Sequence, residues 1–270
     1  MKNVENGSIS IIGQTRAVGN SSGVLLPREW LNKKVVVTLA EPTEKEILRD
    51  VIEILYHEKV LRAVLGIYLV GSYARREQSE KSDIDILVVT KDISKEQIEK
   101  GIYSIIIVSE DLLEEQLKKN IFPLGPMVKE AKALLNASLL EKYKNFKLTR
   151  RNLNFHIETT KSILNVHNSS IALDKDMEIK YANGVSYSLV LRLRGIYIVD
   201  CLIKKKLWKK KEFLELLKKV AGSAAAYEGY LRVKANKERE GGIKFEEAER
   251  LIDYISKKIK EQEKWAKERR

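Results

Sequence analysis

The stretch from Ile67 to Val89, IYLVGSYARREQSEKSDIDILVV, constrains this chain more than any other. Ile67-Tyr68-Leu69-Val70 is an apolar run of the length of a buried strand. It stops at Gly71-Ser72, where glycine permits a tight turn and lets the backbone come close to a ligand. Backbone N–H groups in such a turn, with the Ser72 hydroxyl, can hold phosphate oxygens, and a helix starting just after adds its dipole. A polar link with Arg75, Arg76 and Lys81 leads to a second strand, Asp83-Ile84-Asp85-Ile86-Leu87-Val88-Val89. Residues i and i+2 of a strand share a face. Asp83 and Asp85 therefore face one way together, and Ile84 and Ile86 face the core.

Two carboxylates about 4 Å apart repel by roughly 1–4 kcal/mol in a partly solvated site. A divalent cation removes that repulsion, and Mg²⁺ favours one or two carboxylates plus substrate phosphates as ligands. A phosphate cradle beside such a pair points to phosphoryl or nucleotidyl transfer.

Gly71-Ser72 followed after ten residues by Asp83-Ile84-Asp85 resembles the signature of the polymerase β-like nucleotidyltransferases. It looks most like the small, minimal members, whose motif reads GS, an Arg, then SDIDL; Arg75, Ser82, Asp83, Ile84, Asp85 and Ile86 all fit. The resemblance covers roughly Ile47 to Leu117. It implies a triphosphate held by Gly71, Ser72, Arg75 and Ser82, with ATP as the nucleotide. It also implies Mg²⁺ on Asp83 and Asp85, and attack of an acceptor hydroxyl on the α-phosphorus. The same family places a third carboxylate on the next strand, which often serves as the base. Here that position falls on Ser104, within Ile102-Tyr103-Ser104-Ile105-Ile106-Ile107-Val108. A serine can position a water or an acceptor, but it is no base at neutral pH. Asp83, Asp85 and Ser104 are thus the candidate catalytic residues, and the missing acid puts transfer in question.

The fold expected is α+β, in three parts. Residues 1–42 alternate short apolar runs with the turn cluster Gly19-Asn20-Ser21-Ser22-Gly23 and read as a small β module. Strands are expected at 9–12, 15–18, 24–26 and 34–39, with one helical turn over 28–31. So short a unit buries little core of its own. AVGNSSGVLLPREWLNKKVVVTL resembles the AbrB/SpoVT-like swapped hairpin, which implies a homodimer and, through Arg16 and Arg28, DNA contact. Residues 43–145 form the α/β core with a mixed sheet. Its first helix is announced by Thr43 with Glu46 three residues on, a capping box. Helices are also expected over Ser94–Lys100, Glu110–Lys119 and Pro126–Leu135. From 146 to 270 the pattern is helical, and long segments with short links imply a bundle. Tyr181, Tyr187, Tyr227 and Tyr230 are candidates for a cleft against the core, with helix packing as the commoner use of such residues.

Charge and composition set the remaining bounds. The net charge of +12 favours polyanionic partners, nucleic acid among them. Lys204–Lys206 and Lys209–Lys211 flank Trp208, as a phosphate-backbone contact or as a solvated helix end. One cysteine, Cys201, fits a reducing, cytoplasmic setting. No N-terminal signal pattern stands out, and the longest apolar stretch, 185–203, is broken by Arg192 and Arg194, so no membrane span is expected. Abundant Lys, Glu and Ile suggest a thermophile. Arg151 and His156 match the R-x₄-H spacing of HEPN ribonucleases, without that family's companion features. The rival to the enzyme is a dimeric DNA-binding regulator or antitoxin whose core keeps a degenerate nucleotide site.

Overall fold

The structure, a computed structural model, describes residues 2–5, 8–11, 13, 15–37, 41–79, 82–174, 183–236 and 242–268. The chain divides into two units, residues 1–50 and residues 51–270. In the first, β1 (Lys2–Glu5) pairs antiparallel with β2 (Ser8–Ile11), and β3 (Arg16–Val18) with β4 (Ser21–Gly23). The expected turn over 19–23 narrows to Gly19-Asn20, where Gly19 takes φ +56°, and Ser21–Gly23 returns as strand. The strand expected at 24–26 is absent, because Pro27 follows at once and lacks a ladder donor. Arg28–Trp30 makes one 3₁₀ turn, as expected. Residues 34–37 are irregular rather than strand. Ile12, Thr38 and Leu39, also assigned to strands, lie outside the described residues, as do Lys81 and Tyr181.

Helix α1 (Glu44–His57) starts where the capping box places it: Glu46 Oε2 accepts from the Thr43 N–H at 2.8 Å, and Thr43 Oγ1 from the Glu46 N–H at 3.3 Å. The second unit is built on β5 (Val64–Leu69), which runs into α2 (Gly71–Arg75). There follow β6 (Ile84–Thr90), β7 (Lys95–Lys100), β8 (Tyr103–Ser109), α3 (Glu110–Lys119), α4 (Leu124–Glu130), β9 (Lys132–Leu135) and α5 (Ala137–Lys144). The five strands form one mixed sheet in the order β7-β8-β6-β5-β9. Only β6 and β8 are parallel.

Both sheet faces are covered, which is why β5 and β6 read as nearly continuous apolar runs. Tyr68, Leu87 and Val89 lie on one face with Val108, against Leu113 of α3, Val128 of α4 and Leu140 of α5. Ile84, Ile86 and Val88 alternate to the other face and are buried there. Asp85 belongs to the first face, one step beyond Leu87, at the end of β6 next to the Gly71 turn.

Two segments expected to be helical are strands. Lys95–Lys100 pairs antiparallel with β8, and Lys132–Leu135 with β5. Both sit on the edges of the sheet, where ladder pairing overrides helix-favouring composition. Gln97 and Glu99 put polar side chains on one face of this edge strand, and a bulge between Lys95 and Ile98 sets Lys95, paired with Ile107, on the other.

The remaining chain is α6 (Arg150–Asp174), α7 (Asn183–Ile203), α8 (Lys210–Ala221), α9 (Ala225–Lys234) and α10 (Phe245–Lys267). Their buried faces form one cluster, with Leu193, Ile196, Leu217, Leu251 and Ile255 at its heart. Asn152 of α6 ties this bundle to the sheet region by donating to the Leu117 carbonyl of α3 at 2.8 Å. No helix among the described residues is long and apolar enough to cross a membrane.

Candidate active site

The centre of the site is the meeting of Gly71 and Asp85. Gly71 has φ +69°, a left-handed conformation that a side chain disfavours. A Cβ built there would lie 2.0 Å from Asp85 Oδ2 and 2.8 Å from its Cγ. The glycine therefore does two things: it turns the chain out of β5, and it leaves the space that the Asp85 carboxylate fills. The Val70 N–H donates to the Asp85 carbonyl at 2.9 Å, fixing the turn against β6.

Asp83 is exposed and Asp85 half-buried, with buried Ile84 between them. Asp83 precedes β6, so the strand's alternation places Asp85 alone. Burial pushes the Asp85 carboxyl above its ordinary range, and Asp83 beside it pushes the same way. Lys234 at the end of α9, and Arg75, pull it down. Two elements far apart in sequence thus send positive charge to the acidic pair.

The turn is clamped by a residue that sequence inspection misses. Glu130, at the end of α4, is 7% exposed. Its Oε1 accepts from the Gly71 N–H at 2.7 Å, and its Oε2 from Arg75 Nη1. Arg75 Nε donates to Glu77 Oε2 at 2.9 Å, and Glu77 Oε1 accepts from the Lys210 N–H at the start of α8 at 2.8 Å. Burial works against charge on Arg75, but Glu130 and Glu77 outweigh it and hold the guanidinium protonated. Burial likewise pushes Glu130 up, while Arg75 and the Gly71 N–H favour its carboxylate, the form that accepts both bonds. Arg75 and the Gly71 N–H are thus engaged with the protein itself. The Ser72 hydroxyl has no partner among the described residues and stands free in the turn. Ser82 closes the link, its Oγ accepting from the Ser79 N–H at 2.9 Å.

Ser104 lies directly across the parallel pair from Asp85, on the same face. Beyond it, Glu99 of β7 pairs with Ser104, so that Asp85, Ser104 and Glu99 form one row across three strands. Glu99 was hidden by the helical reading of its segment, in which it would not face the sheet row at all. The alternation of Gln97 and Glu99 about Ile98 is the available signal.

Other candidates fall elsewhere. Tyr187, Tyr230 and Tyr227 stack on one another, with centroids 5.3 and 5.8 Å apart and planes within 18° of parallel. They join the bundle core from α7 and α9. Arg194 of α7 acts electrostatically on both Tyr227 and Glu130. Trp208 is buried, so the lysines around it are exposed without an aromatic face to offer a base. His156 is buried too, its Nε2 3.1 Å from Gln262 Oε1 and its ring 5.4 Å from that of Phe122. Arg151 points to solvent. The R-x₄-H spacing assembles nothing. Cys201 is a free thiol in the core.

Among solved structures, the chain is similar to spectinomycin adenyltransferase AAD(9) from Enterococcus faecialis. The identity is 17%, coverage is 80% of this chain and 99% of that one, and the TM-score is 0.38. A nucleotidyltransferase-like protein from Exiguobacterium sibiricum gives 14% identity, 80% and 75% coverage, and a TM-score of 0.37. A putative protein adenylyltransferase of Methanocaldococcus jannaschii is 53% identical over 47 residues, which is 16% of this chain. The chain spans 42% of that relative's length. Residues 44–168, which contain the Gly71 turn, the acidic pair and the whole five-stranded sheet, match the nucleotidyltransferase domain family.

Proposed function

We propose that this protein transfers the adenylyl group of ATP, with Mg²⁺, to a hydroxyl acceptor on a protein side chain. The observation that carries the reading is the fit of Asp85 into the space left by Gly71, which sets an acidic pair beside a tight glycine turn. The nucleotide and the acceptor class rest on the name of the Methanocaldococcus jannaschii relative, protein adenylyltransferase.

The residues present fit a divalent cation. Asp85 is disfavoured as an anion by burial and by Asp83, and a cation on the pair relieves both. No group of three His, Cys, Asp or Glu side chains gathers among the described residues. Two carboxylates completed by nucleotide phosphates suit Mg²⁺, which seldom takes an all-protein cage. When bound, Mg²⁺ supplies positive charge against the phosphate oxygens. Ser72 donates its hydroxyl to a phosphate. Glu130 keeps Arg75 and the Gly71 backbone in place, so that the turn is already shaped when the nucleotide arrives. Lys234 and Arg194 bring charge from the bundle to the phosphate side. Gly71, Ser72, Arg75 and Ser82 form the nucleotide-facing turn, with Arg75 and Ser82 acting as its braces.

The test is incubation of the full chain with ATP labelled at the α-phosphate, Mg²⁺ and cell extract as acceptor source. Label in protein that vanishes on chelation is the expected outcome. Label only in nucleic acid would reassign the acceptor, and none at all would reject the reaction.

A second reading concerns the N-terminal unit. We infer that it docks on a second copy of itself. Leu25, Leu31, Val36 and Val37 are 76, 71, 93 and 68% exposed, an apolar surface in a unit with little core. Light scattering of the full chain and of a chain lacking residues 1–42 tests this. A dimer that becomes a monomer supports it, and a full-length monomer rejects it. Arg16 and Arg28, both exposed, are the residues through which such a dimer would touch DNA.

A further inference from the structure

We infer that Glu99, on edge strand β7, supplies the carboxylate that Ser104 lacks, and that it takes the proton from the acceptor hydroxyl. This rests on the transfer reaction proposed above and names a base for it.

In a sheet, residues paired across neighbouring strands point to the same face about 4.8 Å apart. Ser104 pairs with Asp85 on one side and with Glu99 on the other. A carboxylate one strand further out would normally lie too far from Asp85 to share a site. Glu99 does not stand straight above its own strand, however. Its Oε1 accepts from Ser104 Oγ at 3.1 Å, so the carboxylate leans back over β8. The extra methylene of glutamate, relative to aspartate, makes that reach possible. The negative charge ends where a carboxylate on residue 104 would put it.

The carboxylate is held, and one of its oxygens is open. Gln97, two residues earlier on the same face of β7, donates Nε2 to Glu99 Oε1 at 2.5 Å and to Ser104 Oγ at 2.6 Å. Two donors therefore fix Oε1, while Oε2 has no partner among the described residues. Ser104 is 6% exposed and its hydroxyl is spent on Glu99, whereas Glu99 is exposed. Serine donates the single hydrogen that a carboxylate at position 104 could not. The serine is thus a positioning residue for the acid on the neighbouring strand.

The step balances. The acceptor oxygen forms a bond to the α-phosphorus as its proton passes to Glu99 Oε2. The bond from the α-phosphorus to the bridging oxygen breaks, and pyrophosphate leaves with that electron pair.

The experiment uses the full chain, Mg·ATP labelled at the α-phosphate, and peptides carrying Tyr, Ser and Thr as acceptors, beside the protein's own side chains. Glu99→Gln keeps the hydrogen-bonding shape and removes the base, so kcat should fall by about 10²–10⁴-fold with KM for ATP little changed. Ser104→Asp added to Glu99→Gln places a carboxylate directly on β8 and should recover about a tenth or more of the wild-type kcat. Circular dichroism confirms that both variants are folded. Wild-type kcat retained in Glu99→Gln, or no recovery in the folded double variant, would overturn the assignment and leave the transfer reaction standing. A wild-type chain that labels no acceptor overturns the reaction and the base together.

Discussion

Two motifs in this chain have the spacing of catalytic residues, and they meet opposite fates. At the Gly71 turn, burial and Asp83 raise the Asp85 carboxyl, and Lys234 and Arg75 offset this only in part. On α6, Arg151 and His156 are five residues apart, which places them about 140° apart around a helix. The arginine goes to solvent and the histidine to the core. There Gln262 meets the His156 Nε2, and Gln262 in turn donates to Asp200 Oδ1 at 2.7 Å and to the Ile196 carbonyl at 2.9 Å. A polar group tied into such a chain inside a bundle has a packing role. An acidic pair left in mutual repulsion at a tight glycine turn calls for a ligand.

Substitutions at the two motifs should separate their roles. The largest effect belongs to Asp85→Asn, which should lower adenylyl transfer by about 10³-fold, several kcal/mol of transition-state charge stabilisation, in a pyrophosphate-release assay. Its denaturation midpoint should hold or rise, since burial and Asp83 both oppose the wild-type charge. A loss of fold together with activity would make Asp85 a structural residue like His156.

Gly71→Ala comes next. The added methyl meets Asp85 Oδ2, and the φ of +69° disfavours a side chain by about 1–2 kcal/mol. Transfer should fall by roughly 10²-fold through displacement of the acidic pair, while a folded chain remains. Activity kept at the wild-type level would mean that the close approach has no catalytic use.

His156 should show itself in stability against pH. Burial lowers its pKa from 6.5 to about 4, with Gln262 only partly opposing. The unfolded chain then binds a proton that the folded chain refuses, so stability is full above pH 6.5 and falls as the pH drops toward 4. The loss should approach about 3 kcal/mol in urea titrations, and His156→Gln should remove this dependence while leaving transfer at pH 7 unchanged. Flat stability across that window would contradict the assignment. The smallest effect belongs to Arg151→Ala, on the solvent face of α6. It should change stability by less than about 0.5 kcal/mol and transfer not at all. A marked loss of RNA cleavage or of transfer would show that the helix motif acts after all.

The sequence discloses most of the architecture and part of the site, for local reasons. Ile67–Val70 and Ile84–Val89 are apolar runs whose strand character follows from their own composition, and Thr43 with Glu46 caps its helix through contacts three residues apart. The Gly71 turn and the acidic pair lie within one such stretch. What escapes is decided by distant pairing. β7 and β9 take strand form only because β8 and β5 offer them edges. Glu130 reaches Gly71 across 59 residues, and Lys234 reaches Asp85 from the last turn of α9. Glu99 becomes visible only once its segment is a strand. In the N-terminal unit the strands are too short, three or four residues each, for periodicity to fix their limits.

The central claim is that the Gly71 turn and the pair Asp83 and Asp85 form a site for a magnesium-bound nucleotide. Titration calorimetry with a non-hydrolysable ATP analogue, with and without Mg²⁺, tests it without depending on any acceptor. The wild-type chain should bind the analogue in a Mg²⁺-dependent manner, and Asp83→Asn with Asp85→Asn should weaken that binding by about tenfold or more while the fold persists. Equal affinity in the wild type and the doubly substituted chain, or binding indifferent to Mg²⁺, would contradict it.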